Sequence, residues 1–220
     1  MKAKSALILF IGLFTTQAVY AKHLPDSTIE YYAENTLRYD DRAYIPTIAT
    51  VILSPDVASM LPPIIMLNSE EKLFLSFDDL EGDYKSLWYT VIHCSAEWEP
   101  SNASVGDFID GFPEQQISSY SFSRNTIQRY THYESQFPND QFKLLLSGNY
   151  LLKVYQDNDP EKLILTRRFM IYGNKVNLTG DVHASTIVAD RNYKQEVDFT
   201  VTYTTTEITN PFQEIYPVIL

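Results

Sequence analysis

The stretch SGNYLLKVYQDNDPEKLILTRRFMIY, Ser147 to Tyr172, decides the fold of this 220-residue chain. Tyr150, Leu152 and Val154 alternate with Leu151 and Lys153, the period-two pattern of a half-buried strand. QDNDPEK, Gln156 to Lys162, is an acidic turn built from residues that accept turn backbone, and a second apolar run follows over Lys162 to Tyr172. The whole reads as a hairpin. Its Gly-x-Tyr start at Gly148 to Tyr150 matches the tyrosine corner of immunoglobulin-like sandwiches, where the hydroxyl reaches back to the backbone and pins a crossover. Tyr150 takes that structural role.

The same alternation spreads outward from the hairpin. Leu73, Leu75 and Phe77 alternate with Phe74 and Ser76, and Val197, Phe199, Val201 and Tyr203 alternate with Asp198, Thr200 and Thr202. Further strands are predicted over Pro46 to Ser54, Leu87 to Ala96, Arg129 to Phe137 and Lys175 to His183. Ser27 to Leu37 is the only candidate for a helical stripe. The expected class is all-β: an immunoglobulin-like antiparallel β-sandwich over residues 45–173, then the start of a second β domain over 174–220. Two or three strands cannot close an independent sandwich, so that second domain is expected to be truncated. Residues 22–44 read as an N-terminal extension.

The first residues carry an address. MKAKS supplies two lysines, ALILFIGLF an apolar run, and Val19-Tyr20-Ala21 a small-residue cleavage site, so residues 1–21 read as a secretory signal peptide. The run is too short for a retained span, which needs about 20 residues. No cysteine sits beside the cleavage site for a lipid anchor. The expectation is an exported, periplasmic protein without direct membrane insertion.

A net charge of −11 repels phosphate backbones and anionic lipid, which argues against nucleic acid as a partner. One cysteine excludes an intramolecular disulfide, so core packing alone must hold the fold. That cysteine lies in LWYTVIHCSAEWEPS, Leu87 to Ser101, whose residues invite an enzymatic reading. Strand geometry argues otherwise. Trp88, Thr90, Ile92, Cys94 and Ala96 fall on one face, expected to be the core; Tyr89, Val91, His93, Ser95 and Glu97 fall on the other. Cys94 therefore cannot meet His93 within the strand. Ser95 and Glu97 do share the His93 face, but i and i+2 neighbours lie about 6.6 Å apart, beyond the about 2.6–3.2 Å of a proton relay. No nucleophile elbow occurs, and no catalytic residue is expected.

Metal and cofactor sites are not expected either. The four histidines, His23, His93, His132 and His183, have no paired spacing. Asp78, Asp79, Glu81 and Asp83 offer oxygens, but DDLEGD lacks the ligand alternation of a calcium loop and reads as a solvated turn. Of Arg167 and Arg168, one must face the core or a sheet edge, and an exposed edge is the expected placement. The irregular stretch Glu97 to Ser123 is too long to be idle. Its apolar residues Trp98, Phe108, Ile109 and Phe112 either fold back to cap the sandwich or serve as partner-binding anchors.

LLSGNYLLKVYQDNDPEKLILTRRFM, LFLSFDDLEGDYKSLWYTVIHCSAEWEPS and the QEVDFTV run together resemble the type IX secretion system plug protein family of Bacteroidota. The resemblance covers roughly Tyr39 to the last residue. It implies a non-enzymatic subunit that docks on the periplasmic opening of a giant outer-membrane β-barrel translocon and closes it. No small-molecule substrate is then expected. An exported carbohydrate-binding module using the Trp98 to Phe112 aromatics is the alternative. A thiol hydrolase built on Cys94 ranks behind both.

Overall fold

The structure is a computed structural model describing residues 36–55, 61–203 and 208–217. The expected signal peptide and nearly all of Ser27 to Leu37 lie outside the described residues. The described residues belong to one contact unit, Asn35–Leu220.

The predicted alternation is realised as strands. The chain opens with β1 (Arg42–Ala43), β2 (Ile48–Ser54), β3 (Ile64–Met66), β4 (Leu73–Asp79) and β5 (Leu87–Cys94). The stretch expected to be irregular holds a single helical turn, α1 (Val105–Phe108), and three short strands: β6 (Ile109–Gly111), β7 (Gln115–Gln116) and β8 (Ser119–Phe122). Then come β9 (Thr131–Phe137), β10 (Phe142–Leu144), β11 (Gly148–Gln156) and β12 (Leu163–Tyr172). After Gly173 follow β13 (Val176–Ala184), β14 (Gln195–Tyr203) and the short α2 (Pro211–Glu214).

The fold-deciding stretch forms the antiparallel pair β11–β12, with Tyr150 opposite Phe169 and Leu152 opposite Arg167. Asp157 and Asn158 both take left-handed backbone in its turn, as turn-forming Asp and Asn tolerate. Around this hairpin runs a sheet in the order β1-β12-β11-β5-β7, with β3 alongside β12 in parallel. The facing sheet has the order β2-β4-β9-β8. Apart from these, β6 pairs with β10 and β13 with β14. The architecture is an all-β sandwich.

Two sequence expectations need correcting. The core takes Leu87, Tyr89 and Val91 of β5, not the Trp88, Thr90, Ile92 face. Tyr89 has the aromatic volume to cross the gap, its ring 5.6 Å from Phe137 of the facing sheet and 5.8 Å from Phe142. Arg167 and Arg168 do not lie on a free edge, because β12 has neighbours on both sides. Residues assigned to the N-terminal extension supply one of them. Arg42 and Ala43 pair with Thr166 and Leu165, and the Asp41 carboxylate accepts the Arg168 backbone N–H at 2.6 Å. The Asp40 carbonyl accepts the Thr166 hydroxyl at 2.8 Å, and the Tyr39 carbonyl accepts Arg168 Nε at 2.6 Å. A buried ladder group needs a partner, and these contacts fill the gap between β1 and β3.

The tyrosine corner is present. Tyr150 is fully buried, and its hydroxyl donates to the Leu146 carbonyl at 2.8 Å. Its ring stacks on Phe169 at 5.2 Å. Burial pushes its hydroxyl pKa well up, with the Leu146 hydrogen bond opposing. Before it, Gly148 sits at φ +145°, where an added Cβ would lie 2.6 Å from His93 Nε2. At that φ, and with the imidazole this close, only glycine fits.

Tyr150→Phe should leave the Leu146 carbonyl unpaired at unchanged packing and cost about 1 kcal/mol. Urea unfolding at equilibrium measures it, with an unchanged m-value as the sign that the fold is intact.

Candidate functional site

His93 and Cys94 point to opposite sides of the sheet. His93 Nδ1 lies 2.7 Å from Ser101 Oγ and its Nε2 lies 3.4 Å from the Ser147 carbonyl. Its ring meets Tyr150 edge-on at 4.9 Å and Phe108 at 5.8 Å. The imidazole thus braces the tyrosine corner, and neither Ser95 nor Glu97 is its partner. Cys94 is buried, but on the outer side of the sheet. Its thiol donates to the Ile92 carbonyl at 3.5 Å. Burial raises its pKa, opposed by a backbone hydrogen bond from Leu151 and by the Arg168 charge. A raised thiol pKa means little thiolate, the opposite of an activated nucleophile.

The DDLEGD turn is solvated at Glu81 and Asp83, as the sequence suggested, but not at Asp79. Asp79 is fully buried, and Lys85 reaches into the turn from just beyond it. Its ammonium bonds Asp79, lies 2.5 Å from Glu81 Oε2 and 3.6 Å from Asp83 Oδ1. These three carboxylates form a cluster within 4.8 Å that could hold a metal ion, and the lysine already supplies its positive charge. Burial alone would lower the Lys85 pKa, but the hydrogen bonds to Asp79 and Glu81 outweigh it and push it up to about 12. Gly82 makes the turn possible at φ +71°, with an added Cβ meeting Arg129 Cβ at 2.9 Å.

The four proposed anchor residues separate. Phe108 and Ile109 are buried in the core, so they cap the sandwich and are not surface anchors. The cause is α1, braced by Asp107 accepting the Ser104 backbone N–H at 2.8 Å, which turns Phe108 inward onto Tyr150. Trp98 is half-buried at φ +65°, and its ring lies 4.4 Å beneath the Arg168 guanidinium. A left-handed tryptophan costs backbone energy that this cation–π contact helps offset. Phe112 alone is well exposed, at 67%.

A surface feature that sequence reasoning missed lies at the far end of the same stretch. Tyr84, Tyr120 and Phe122 are all exposed and form a row, with Tyr120 4.9 Å from Tyr84 and 5.6 Å from Phe122. The row runs inward to the buried Tyr133, 6.1 Å from Tyr120. The alternation of SYSF was the available signal, but four residues are too few to stand out from a loop. Elsewhere the β13–β14 register gathers Val176, Leu178, Val182, Val197 and Phe199 on one face of the ribbon, all exposed. Among the described residues no helix is long and apolar enough to cross a membrane.

A family model described as "Type 9 secretion system plug protein 1st domain" matches residues 48–173, more than half of the chain. Its end coincides with the end of β12 within one residue. A hypothetical protein from Parabacteroides merdae, known from its crystal structure, is similar at TM-score 0.71 and 28% identity. That likeness covers 80% of this chain and 44% of the other, so the chain spans less than half the length of that relative. The Pseudomonas fluorescens alkylpurine DNA glycosylase AlkC, bound to DNA with an abasic-site analog, covers 57% of this chain and 30% of its own. At TM-score 0.34 and 10% identity it carries no argument. No curated protein matches.

Lys85→Met would leave Asp79 buried without its counter-ion, an expected loss of about 3–5 kcal/mol. Adding Asp79→Asn should recover part of it, and a single variant losing under about 1 kcal/mol would sink the buried-pair account. Because the folded pKa of Lys85 is raised, its contribution is complete below 10.5 and fades as pH climbs through about 12. Native Cys94 should alkylate with iodoacetamide far more slowly than the same thiol in denaturant. Equal rates would contradict its burial.

Proposed function

Because the chain belongs to the type 9 secretion system plug protein family, we propose that it docks on the system's outer-membrane β-barrel translocon and closes the periplasmic opening. The role in type 9 secretion comes with the family. The docking and closure rest on a physical requirement. A barrel wide enough for folded cargo leaks when idle, and its closure needs a rigid, water-soluble body with a broad contact surface. A sandwich with a continuous aromatic core is such a body. The leader-like first 21 residues support a periplasmic location.

The observation that carries the reading is the family match, which spans the sandwich from β2 through β12. A non-enzymatic role agrees with where the reactive side chains are engaged: Lys85 in its acidic turn, His93 against the tyrosine corner, Cys94 beneath the outer surface. The carbohydrate-module alternative gains nothing from Trp98, whose ring is already covered by Arg168.

Tagged full-length protein recovered from gently solubilised outer membranes of its own organism should bring down a very large β-barrel in near-equal amount. Phe112→Ser, at an exposed position, should reduce that recovery without lowering stability. Absence of any barrel, in a detergent that preserves other translocon complexes, would overturn the proposal.

A further inference from the structure

We propose that the free edge of β8 is an acceptor site for an extended, basic segment of a partner protein, which adds there as a further strand of the sheet. The inference goes beyond the closure role and stands without it, since it names atoms and not the partner that supplies the strand.

β8 is the terminal strand of its sheet and pairs with β9 alone. The parity of that pairing decides which groups are free. Ser123 donates its backbone N–H to the Tyr130 carbonyl at 2.9 Å, so Ser123 points its polar backbone toward β9. In an antiparallel pair this direction alternates along the strand. Ser121 and Ser119 therefore also face β9, while Tyr120 and Phe122 turn their N–H and C=O groups outward. Two donors and two acceptors stand on the open edge, at the positions that carry exposed aromatic rings.

Natural edges are blunted by shortness, charge, proline or bulges, and of these β8 has only its four-residue length. Ser119–Phe122 contains no charged residue and no proline, keeps an unbroken register with β9, and exposes all four residues. The rings of Tyr120 and Phe122 prolong the core layer beyond Tyr133, so an added strand with apolar side chains on that side would extend the packed layer. Strand addition of this kind takes affinity from main-chain bonds and specificity from alternate side chains.

Charge selects the occupant. The chain carries −11. On the outer face Glu134, opposite Ser119, and Asp78 are two carboxylates sharing one histidine, His132, opposite Ser121. Asp83, 3.6 Å from Lys85, is exposed in the turn before Tyr84. Arg124 and Arg129 flank only the far end. A strand with apolar residues over Tyr120 and Phe122 and basic residues over Ser119 and Ser121 fits both faces. A second copy fits poorly, because two like-charged chains repel and a four-residue edge offers little area for a stable dimer.

The test uses the full-length chain and a fluorescein-labelled, end-capped peptide of four valine–lysine repeats, followed by anisotropy at physiological ionic strength. Phe122→Pro removes the outward N–H without touching the β9 ladder, as an edge strand tolerates. Phe122→Val keeps it. Saturable binding that weakens about five- to tenfold in Phe122→Pro relative to Phe122→Val, with equal melting temperatures, supports the proposal. Equal affinity in the two variants, or no saturation below about 1 mM, overturns strand addition. A valine–glutamate peptide binding as tightly overturns the basic occupant. Dimerisation of the chain that Phe122→Pro abolishes assigns the edge to a second copy and overturns the partner. None of these outcomes bears on barrel closure, which the membrane recovery tests separately.

Discussion

A chain of aromatic rings between the two sheets is the constraint on which the rest depends. Tyr150 stacks on Phe169, Phe169 meets Phe137 at 5.3 Å, and Phe137 meets Tyr89 at 5.6 Å. No disulfide is available among the 220 residues, so these rings and the aliphatics around them carry the stability. Each ring buries a large apolar area and adds a preferred tilted or stacked geometry to its neighbour. That geometry fixes the strand positions, and with them which face of β5 looks inward.

Polar groups that resemble chemistry are engaged in supporting this frame. Lys85 and Asp79 tie the β4–β5 connection, since either charge alone would be costly at that depth. His93 fills the space left by Gly148 and braces Tyr150. Arg168 closes the gap in the β12 ladder through Asp41 and Tyr39 while covering Trp98. In each case the side chain has a partner whose removal would leave a buried or half-buried polar group unsatisfied. Such residues are held in place by structural demand whatever the surface does.

The surface is different in character. Where the core ends at β8, an aromatic row and unpaired backbone meet on a short edge that carries no charge and no proline. Phe112 stands apart, just beyond β6, with its N–H bonded to the Gln141 carbonyl at 2.9 Å and its ring exposed, while Ile109 at the start of β6 is buried. A body that works by contact needs such outward features on a rigid support, and the rigid support is what the aromatic layer supplies.

The sequence by itself determined the all-β class, strands within a few residues of those at 48–54, 73–79, 87–94, 148–156 and 163–172, the hairpin turn and the hydroxyl role of Tyr150. Those features are local: alternation and turn chemistry act over a few residues and read directly. Strands of two to four residues, such as β1, β3 and β8, left too little alternation to see. Only the tertiary structure decided which face of β5 is core, because both faces are apolar in sequence and the choice depends on what the opposite sheet presents. It likewise decided that Phe108 and Ile109 go inward while Phe112 stays out, and that Lys85 neutralises Asp79. These outcomes depend on which distant segments meet, and no spacing along the chain encodes that meeting.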